Sequence, residues 1–204
     1  MPGPVSDPAL EDRNRDWLQR AAGEIGQLDR AVYAAVAQTP TPSLDRALKR
    51  LSRAANYSRL SIAAAAVLSV AGGERGREAA KMGLSSVAAT STVLNLGIKP
   101  IVRRRRPDRS AQDVPRARQV KMPSSTAFPS GHSAAAFAFA TGVGQVLPEA
   151  GFPLRVLASL VAYSRVHTGV HYPGDVIAGA MIGATVAQAC TYTLEQGWGG
   201  GWPR

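Results

Sequence analysis

One cysteine in 204 residues, Cys190, leaves no partner for an internal disulfide and no thiolate cluster for a metal. Its apolar neighbours read as packed helix rather than as the setting of a reactive thiol. Residues 1–15 lack an apolar h-region and carry Pro2, Pro4 and Pro8 among charges. No signal peptide is read there, and any membrane insertion is expected to use internal segments. Strand signals are weak throughout, no internal repeat is apparent, and the one low-complexity run is Arg103-Arg104-Arg105-Arg106. Acidic residues number 14 against 24 lysines and arginines. A formal charge of +10 narrows the class to proteins that meet nucleic acid, an anionic membrane surface or a phosphorylated substrate. Arginine outnumbers lysine and alanine is plentiful, so part of that charge reflects a GC-rich coding background rather than a selected surface.

The length suits one domain with one site. Residues 1–15 read as a disordered tail and 16–55 as amphipathic helices, the second capped by Ser43 and carrying Arg46, Lys49, Arg50 and Arg53 on a face suited to phospholipid headgroups. Residues 56–196 form the core, and 197–204 a second tail. Within the core, residues 60–73, 82–98, 133–148, 152–164 and 176–194 are nearly uncharged and predict five buried helices. The expected fold is all-α, a helical bundle and polytopic membrane protein of about five core helices, multi-pass in the cell membrane. A span needs about 20 apolar residues, which the last segment satisfies best and the first only marginally. A mean hydropathy of −0.07 is low for such a protein, pulled down by residues 1–59 and 99–132.

Polar chemistry gathers in three short clusters, each at the end of an apolar helix. In the first, Lys99 is followed by Arg106 and Pro107. The two cations can clamp phosphate oxygens, arginine by its planar fork and lysine as a point charge, although a positive-inside anchor explains arginine runs as well. The second is Pro129-Ser130-Gly131-His132 before an apolar helix. Serine is a good N-cap, glycine lets backbone approach closely, and the free N–H groups of a helix start bind anions. His132 could donate a proton there, or be incidental to an ordinary capped helix. The third runs from Arg165 through His167 and His171 to Tyr172-Pro173-Gly174-Asp175. Its last four residues have the chemistry of a type II turn, which would let Asp175 hold one nitrogen of His171 while the other attacks phosphorus. Against this stand a first-turn acid favoured by the helix dipole and a packed loop histidine. His167 has no partner by spacing and reads as structural. The three histidines lack the His-Glu-x-x-His pattern and a carboxylate cluster, so no metal and no cofactor is expected.

Taken in order, these motifs across residues 99–175 resemble those of the type 2 phosphatidic acid phosphatase (PAP2) family, without a gap or substitution. The resemblance implies that Lys99, Arg106 and Arg165 bind the phosphoryl oxygens, helped by Ser130 and the Gly131 amide. It further implies that His171 is the nucleophile, His132 the acid and Asp175 the group that holds His171. Vanadium-dependent haloperoxidases share these core motifs and are the competing function on the same site. A non-enzymatic basic membrane- or nucleic-acid-binding protein is the alternative of another class, and it leaves both histidine clusters unexplained. The expected partners are a phosphorylated lipid and the bilayer, without nucleic acid, and with a homo-oligomer left open. Phosphatidic acid, phosphatidylglycerol phosphate, polyprenyl diphosphates and polyprenyl phosphosugars all fit, with a lean toward a bacterial isoprenoid phosphate or phosphatidate.

Overall fold

A computed structural model describes residues 8–197, and among them every regular element is a helix. Helix α1 spans Pro8–Gln38 and α2 spans Pro42–Ala54. The first begins earlier than expected, so residues 8–15, read above as tail, are helical. Proline is tolerated in a first helical turn, and no further proline follows Pro8 until Pro40, just past the end of α1. Residues 1–7 and 198–204, the remainder of the two expected tails, lie outside the described residues. The cap of α2 is also placed differently. Thr41, not Ser43, occupies the N-cap, because Pro42 takes the first helical position that its fixed φ suits, and the Thr41 hydroxyl donates to Asp45 at 2.9 Å.

A 3₁₀ turn, Asn56–Ser58, leads into α3, Arg59–Ala71. Helix α4, Gly73–Thr92, continues into a wider π turn, Val93–Ile98, closed where the Lys99 N–H donates to the Leu94 carbonyl at 2.9 Å. A long loop follows, then α5, Gly131–Val146, α6, Pro148–His167, and α7, Pro173–Gly197. The five apolar segments of the sequence correspond to α3, α4 with its π turn, α5, α6 and α7, and the first and third run past the ends of α3 and α5 into the start of the next helix. Helix α4 also absorbs the charged stretch from Glu74 to Glu78, where Arg75 donates to the Val146 carbonyl at the end of α5, 3.1 Å away.

Helix α5 is the hub, packed on α4, α6 and α7. Its residues Phe139 and Val143 meet Ala65, Ala79, Ala80 and Val87 in one core cluster, while Tyr33 and Ala37 of α1 join Val166 and Val176 in a second. The approach of α7 to α5 depends on Gly179 and Gly183. A Cβ on the first would sit 2.5 Å from the Ser130 carbonyl oxygen, and on the second 2.1 Å from that of Ala134. Small residues four apart let two helix backbones touch. This contact brings the start of α5, with His132, against the start of α7.

By length and composition, one helix among the described residues qualifies to cross a membrane, over Pro173–Thr193. The expectation of about five crossings is met by that measure at α7 alone. The 13 residues of α3 rise only about 20 Å, against a hydrocarbon core of about 30 Å.

Candidate active site

The three polar clusters converge at one end of the bundle, around a cavity of about 460 Å³. Lys99, Arg106, Gly131, His132 and His171 all line it, together with Asn95 from the π turn and Ser125 and Thr126 from the long loop. The π turn contributes by register: Ser91, Asn95 and Lys99 all reach the cavity, and Lys99 donates to the Asn95 side-chain oxygen at 3.2 Å.

His171 lies in the short connection between α6 and α7 and is 2% exposed. Its Nε2 is 3.2 Å from Arg106 Nη1. A guanidinium nitrogen can only donate, so Nε2 presents its lone pair and the ring proton resides on Nδ1. Nδ1 is 3.4 Å from Asp175 Oδ2, outside good hydrogen-bond range, and has no other partner. The expected Asp175–His171 pairing is thus a close approach rather than a formed hydrogen bond. Catalytic contacts of this kind commonly tighten once substrate binds. Burial is the largest influence on the ring and pushes its pKa down to about 4, with Arg106 and Arg165 acting the same way and Asp175 opposing them. A neutral imidazole is the form that attacks phosphorus, and here the Nε2 lone pair is held by the Arg106 N–H, which a phosphate oxygen arriving at the guanidinium would draw away.

Arg106 is held in place by the loop. Its Nε donates to the Ser125 carbonyl at 2.9 Å, Nη2 to the Ser125 hydroxyl and the Thr126 carbonyl at 3.2 Å each, and Nη1 to the Val170 carbonyl at 2.7 Å. Burial, with Arg106 adding, lowers the pKa of Lys99. The Lys99 Nζ lies 3.5 Å from where a Gly131 Cβ would stand, an ordinary contact distance, which puts the ammonium beside the first turn of α5.

Other expected site residues sit behind this wall. Ser130 is fully buried and caps α5, its Oγ accepting from the Ser133 hydroxyl at 3.0 Å and, more weakly, from the Ser133 N–H at 3.4 Å. Arg165 is 1% exposed and does not line the cavity; Nη1 donates to the Ser52 hydroxyl at 2.6 Å and the Ser52 carbonyl at 3.2 Å, while Nε is unpaired. Asp175 is fully buried and accepts the Tyr172 N–H at 2.9 Å. Tyr172-Pro173-Gly174-Asp175 therefore forms a helix start rather than the expected type II turn. Gly174 does not take a positive φ, and the acid three residues into α7 reaches back to the N-cap amide.

Sequence reasoning missed several supporting residues. Arg104 bridges two buried carboxylates, donating to Asp175 at 2.8 Å and to Asp29 of α1, and it stacks over Tyr172 at 4.5 Å. Asp29 in turn accepts the Gly174 N–H at 2.7 Å. In a second network, Asp45 accepts from Arg118 at 2.8 Å and lies 3.1 Å from His167 Nε2, while Arg118 donates to the carbonyls of Val36 and Ala37 at the end of α1 and of Thr39 just beyond it. His167 is therefore a structural partner of α2. Asn56 lies 2.9 Å from His132 Nε2. The one available signal was the paired spacing of Arg104 and Arg106, which in an extended chain puts both side chains on one face.

Residues 80–198, more than half of the chain, match the PAP2 superfamily. Over 90 residues the chain is 44% identical to decaprenylphosphoryl-5-phosphoribose phosphatase of Mycobacterium tuberculosis, covering 44% of this chain and 47% of that protein. The match thus spans about half the length of the curated relatives. The transmembrane PAP2-type phosphatidylglycerolphosphate phosphatase from Bacillus subtilis shares the fold at a TM-score of 0.66 and 22% identity, over 85% of this chain and 87% of that one. Aquifex aeolicus LpxE is similar at a TM-score of 0.64 and 25% identity, over 81% and 95%. A family match over this length, on a shared helical fold whose motif residues converge on one cavity, makes this chain a member of the PAP2 superfamily.

Proposed function

We propose that this protein is a metal-independent membrane phosphatase that removes phosphate from a polyprenyl phosphosugar or a related lipid phosphate through a phosphohistidine on His171. The observation that carries the reading is the His171 Nε2 lone pair facing Arg106, on a cavity wall shared with Lys99 and His132. Phosphoryl transfer asks for in-line positioning and for stabilised charge on the equatorial oxygens. Arg106 and Lys99 provide that charge at the wall. Arg165 contributes its field from behind the wall, and Ser130 keeps the Gly131 amide aimed at the anion by capping α5.

Nε2 forms the N–P bond as the P–O bond to the lipid or sugar breaks, and His132 gives a proton to the departing oxygen. Water then cleaves the N–P bond, releasing phosphate and restoring both rings. Asp175 holds the Nδ1–H side of His171 as positive charge develops on the ring. The preference for a phosphosugar lipid rests on the M. tuberculosis relative, whose name describes such a substrate, and on a cavity whose rim carries Ser58, Ser91, Asn95, Ser125 and Thr126 as hydroxyl and amide partners for a sugar. Helix α7 anchors the protein in the bilayer, with its neighbours completing a multi-pass bundle.

The test is phosphate release by wild type and His171→Ala, purified in detergent with chelator present, from a polyprenyl phosphosugar, a polyprenyl diphosphate and phosphatidic acid. Chelator-resistant release that vanishes in the variant is expected, fastest on the phosphosugar. Equal release by both proteins would remove His171 as nucleophile.

A further inference from the structure

His132 makes one hydrogen bond that the reaction scheme has not used. Its Nε2 lies 2.9 Å from the side-chain oxygen of Asn56, a residue 76 positions earlier in the chain. Asn56 opens the 3₁₀ turn between α2 and α3, and the next two residues are held in left-handed backbone conformations, Tyr57 at φ 56° and Ser58 at φ 53°. Neither is glycine, and L side chains rarely adopt this region. Such strain persists where surrounding structure over-determines it, and it gathers at functional sites. The strained turn is itself part of the cavity wall, since Ala55, Tyr57 and Ser58 all line the cavity with His132.

A carboxamide oxygen can only accept, so a histidine nitrogen facing it carries a proton. An acceptor at one ring nitrogen also favours the imidazolium, which an acid must be before it can act. Burial above all, followed by Arg165, His171, Arg106 and Lys99, disfavours that cation and pushes the His132 pKa down to about 3, whereas an acceptor held at Nε2, the Asn56 oxygen 2.9 Å away, works the other way.

We propose that Asn56 is a positioning residue for His132: its side-chain oxygen holds the Nε2–H, so that Nδ1 carries the proton delivered to the leaving oxygen. The inference rests on the phosphatase reading above. As the P–O bond breaks, its electron pair stays on the leaving oxygen, which takes the Nδ1 proton. The ring is left neutral with its remaining proton on Nε2. When water attacks the phosphohistidine, Nδ1 takes a proton back and the ring is again an acid. Asn56 never touches the substrate and fixes which nitrogen does.

The experiment compares wild type, Asn56→Ala and Asn56→Asp on two monoesters, a long-chain alkyl phosphate and 4-nitrophenyl phosphate. The alkoxide needs a proton to leave and nitrophenolate does not. Asn56→Ala is expected to lower kcat/KM about 100-fold on the alkyl ester, the scale of general acid catalysis, and less than about 3-fold on the aryl ester. Asn56→Asp, which keeps an oxygen in place, restores most of the alkyl activity. Equal losses on both esters would make Asn56 merely structural and overturn the proposal, as would no loss on either.

A second measurement needs no turnover. The protein has three histidines, so ¹⁵N-histidine spectra in detergent can be assigned with single His→Gln variants. His132 is expected as the Nε2–H tautomer in wild type and to lose that preference in Asn56→Ala; an Nδ1–H tautomer in wild type would overturn the proposal. Turnover surviving in His171→Ala would instead defeat the nucleophile assignment, whatever Asn56 does.

Discussion

Replacing Arg104 by alanine takes one guanidinium from between two carboxylates that water barely reaches. Asp175 is fully buried and Asp29 is 7% exposed. Both lose a charged partner, Asp175 at 2.8 Å, and Tyr172 loses the cation stacked on its ring. Removing one member of a buried ion pair costs about 3–5 kcal/mol. The Arg104 side chain is 29% exposed, so water can enter the space it leaves, which places the expected cost at the lower end, about 3 kcal/mol. For a chain of this size that corresponds to a fall of about 6–12 °C in Tm. Its neighbours Arg103 and Arg105 are exposed, and their alanine variants are expected to stay within about 0.5 kcal/mol of wild type.

The assay is thermal unfolding in detergent of the three single variants, joined by Asp29→Ala and the Arg104→Ala/Asp29→Ala double variant. The double variant should lose less than the sum of the singles, because Asp29 and Arg104 share one contact. Activity should fall with stability in Arg104→Ala, since the same guanidinium fixes the carboxylate beside His171. Indistinguishable midpoints for Arg104→Ala and Arg105→Ala would refute the reasoning.

Further outcomes are expected for His171 and for two glycines. Burial holds the His171 pKa near 4, so an NMR titration of its ring should show it neutral at pH 6 and protonating only around pH 4; a midpoint near the unperturbed value of about 6.5 would contradict the burial argument. The linked stability has a definite sign. The unfolded chain takes this proton first, so the contribution of His171 is fully present above about pH 6.5 and is lost as pH falls toward the folded value. Gly183→Leu should abolish both folding and turnover, because its Cβ would meet the Ala134 carbonyl oxygen at 2.1 Å, whereas Gly23→Ala, with nothing within 4 Å, should stabilise α1 by about 1 kcal/mol. Comparable expression and activity of both variants would show that the α5–α7 contact can open.

The helical class, the five apolar helices and the motif positions were legible in the sequence because each is a local property. Apolar runs predict helices, and Lys99, His132 and His171 sit at helix ends, with Arg106 in the loop after one of them, in polar stretches that any reading of composition separates from the runs between them. Their convergence on one cavity followed from motif order by resemblance, and Lys99, Arg106, Pro129, Gly131, His132 and His171 do share its wall. What sequence could not assign is which polar groups face the cavity and which are consumed behind it. Ser130 and Arg165 belong to the motifs, yet one caps α5 and the other is bonded to Ser52. In the arginine run, four identical side chains divide into two exposed and two inward-facing only because an extended loop alternates its faces against α1 and α7. Asp29, Ser52 and Asn56 carry no motif, since each acts through a partner more than 70 positions away. Local chemistry was written in the sequence; the pairing of buried charges was decided by tertiary structure, because a buried charge takes whichever opposite charge or hydrogen-bonding group the packed helices place beside it.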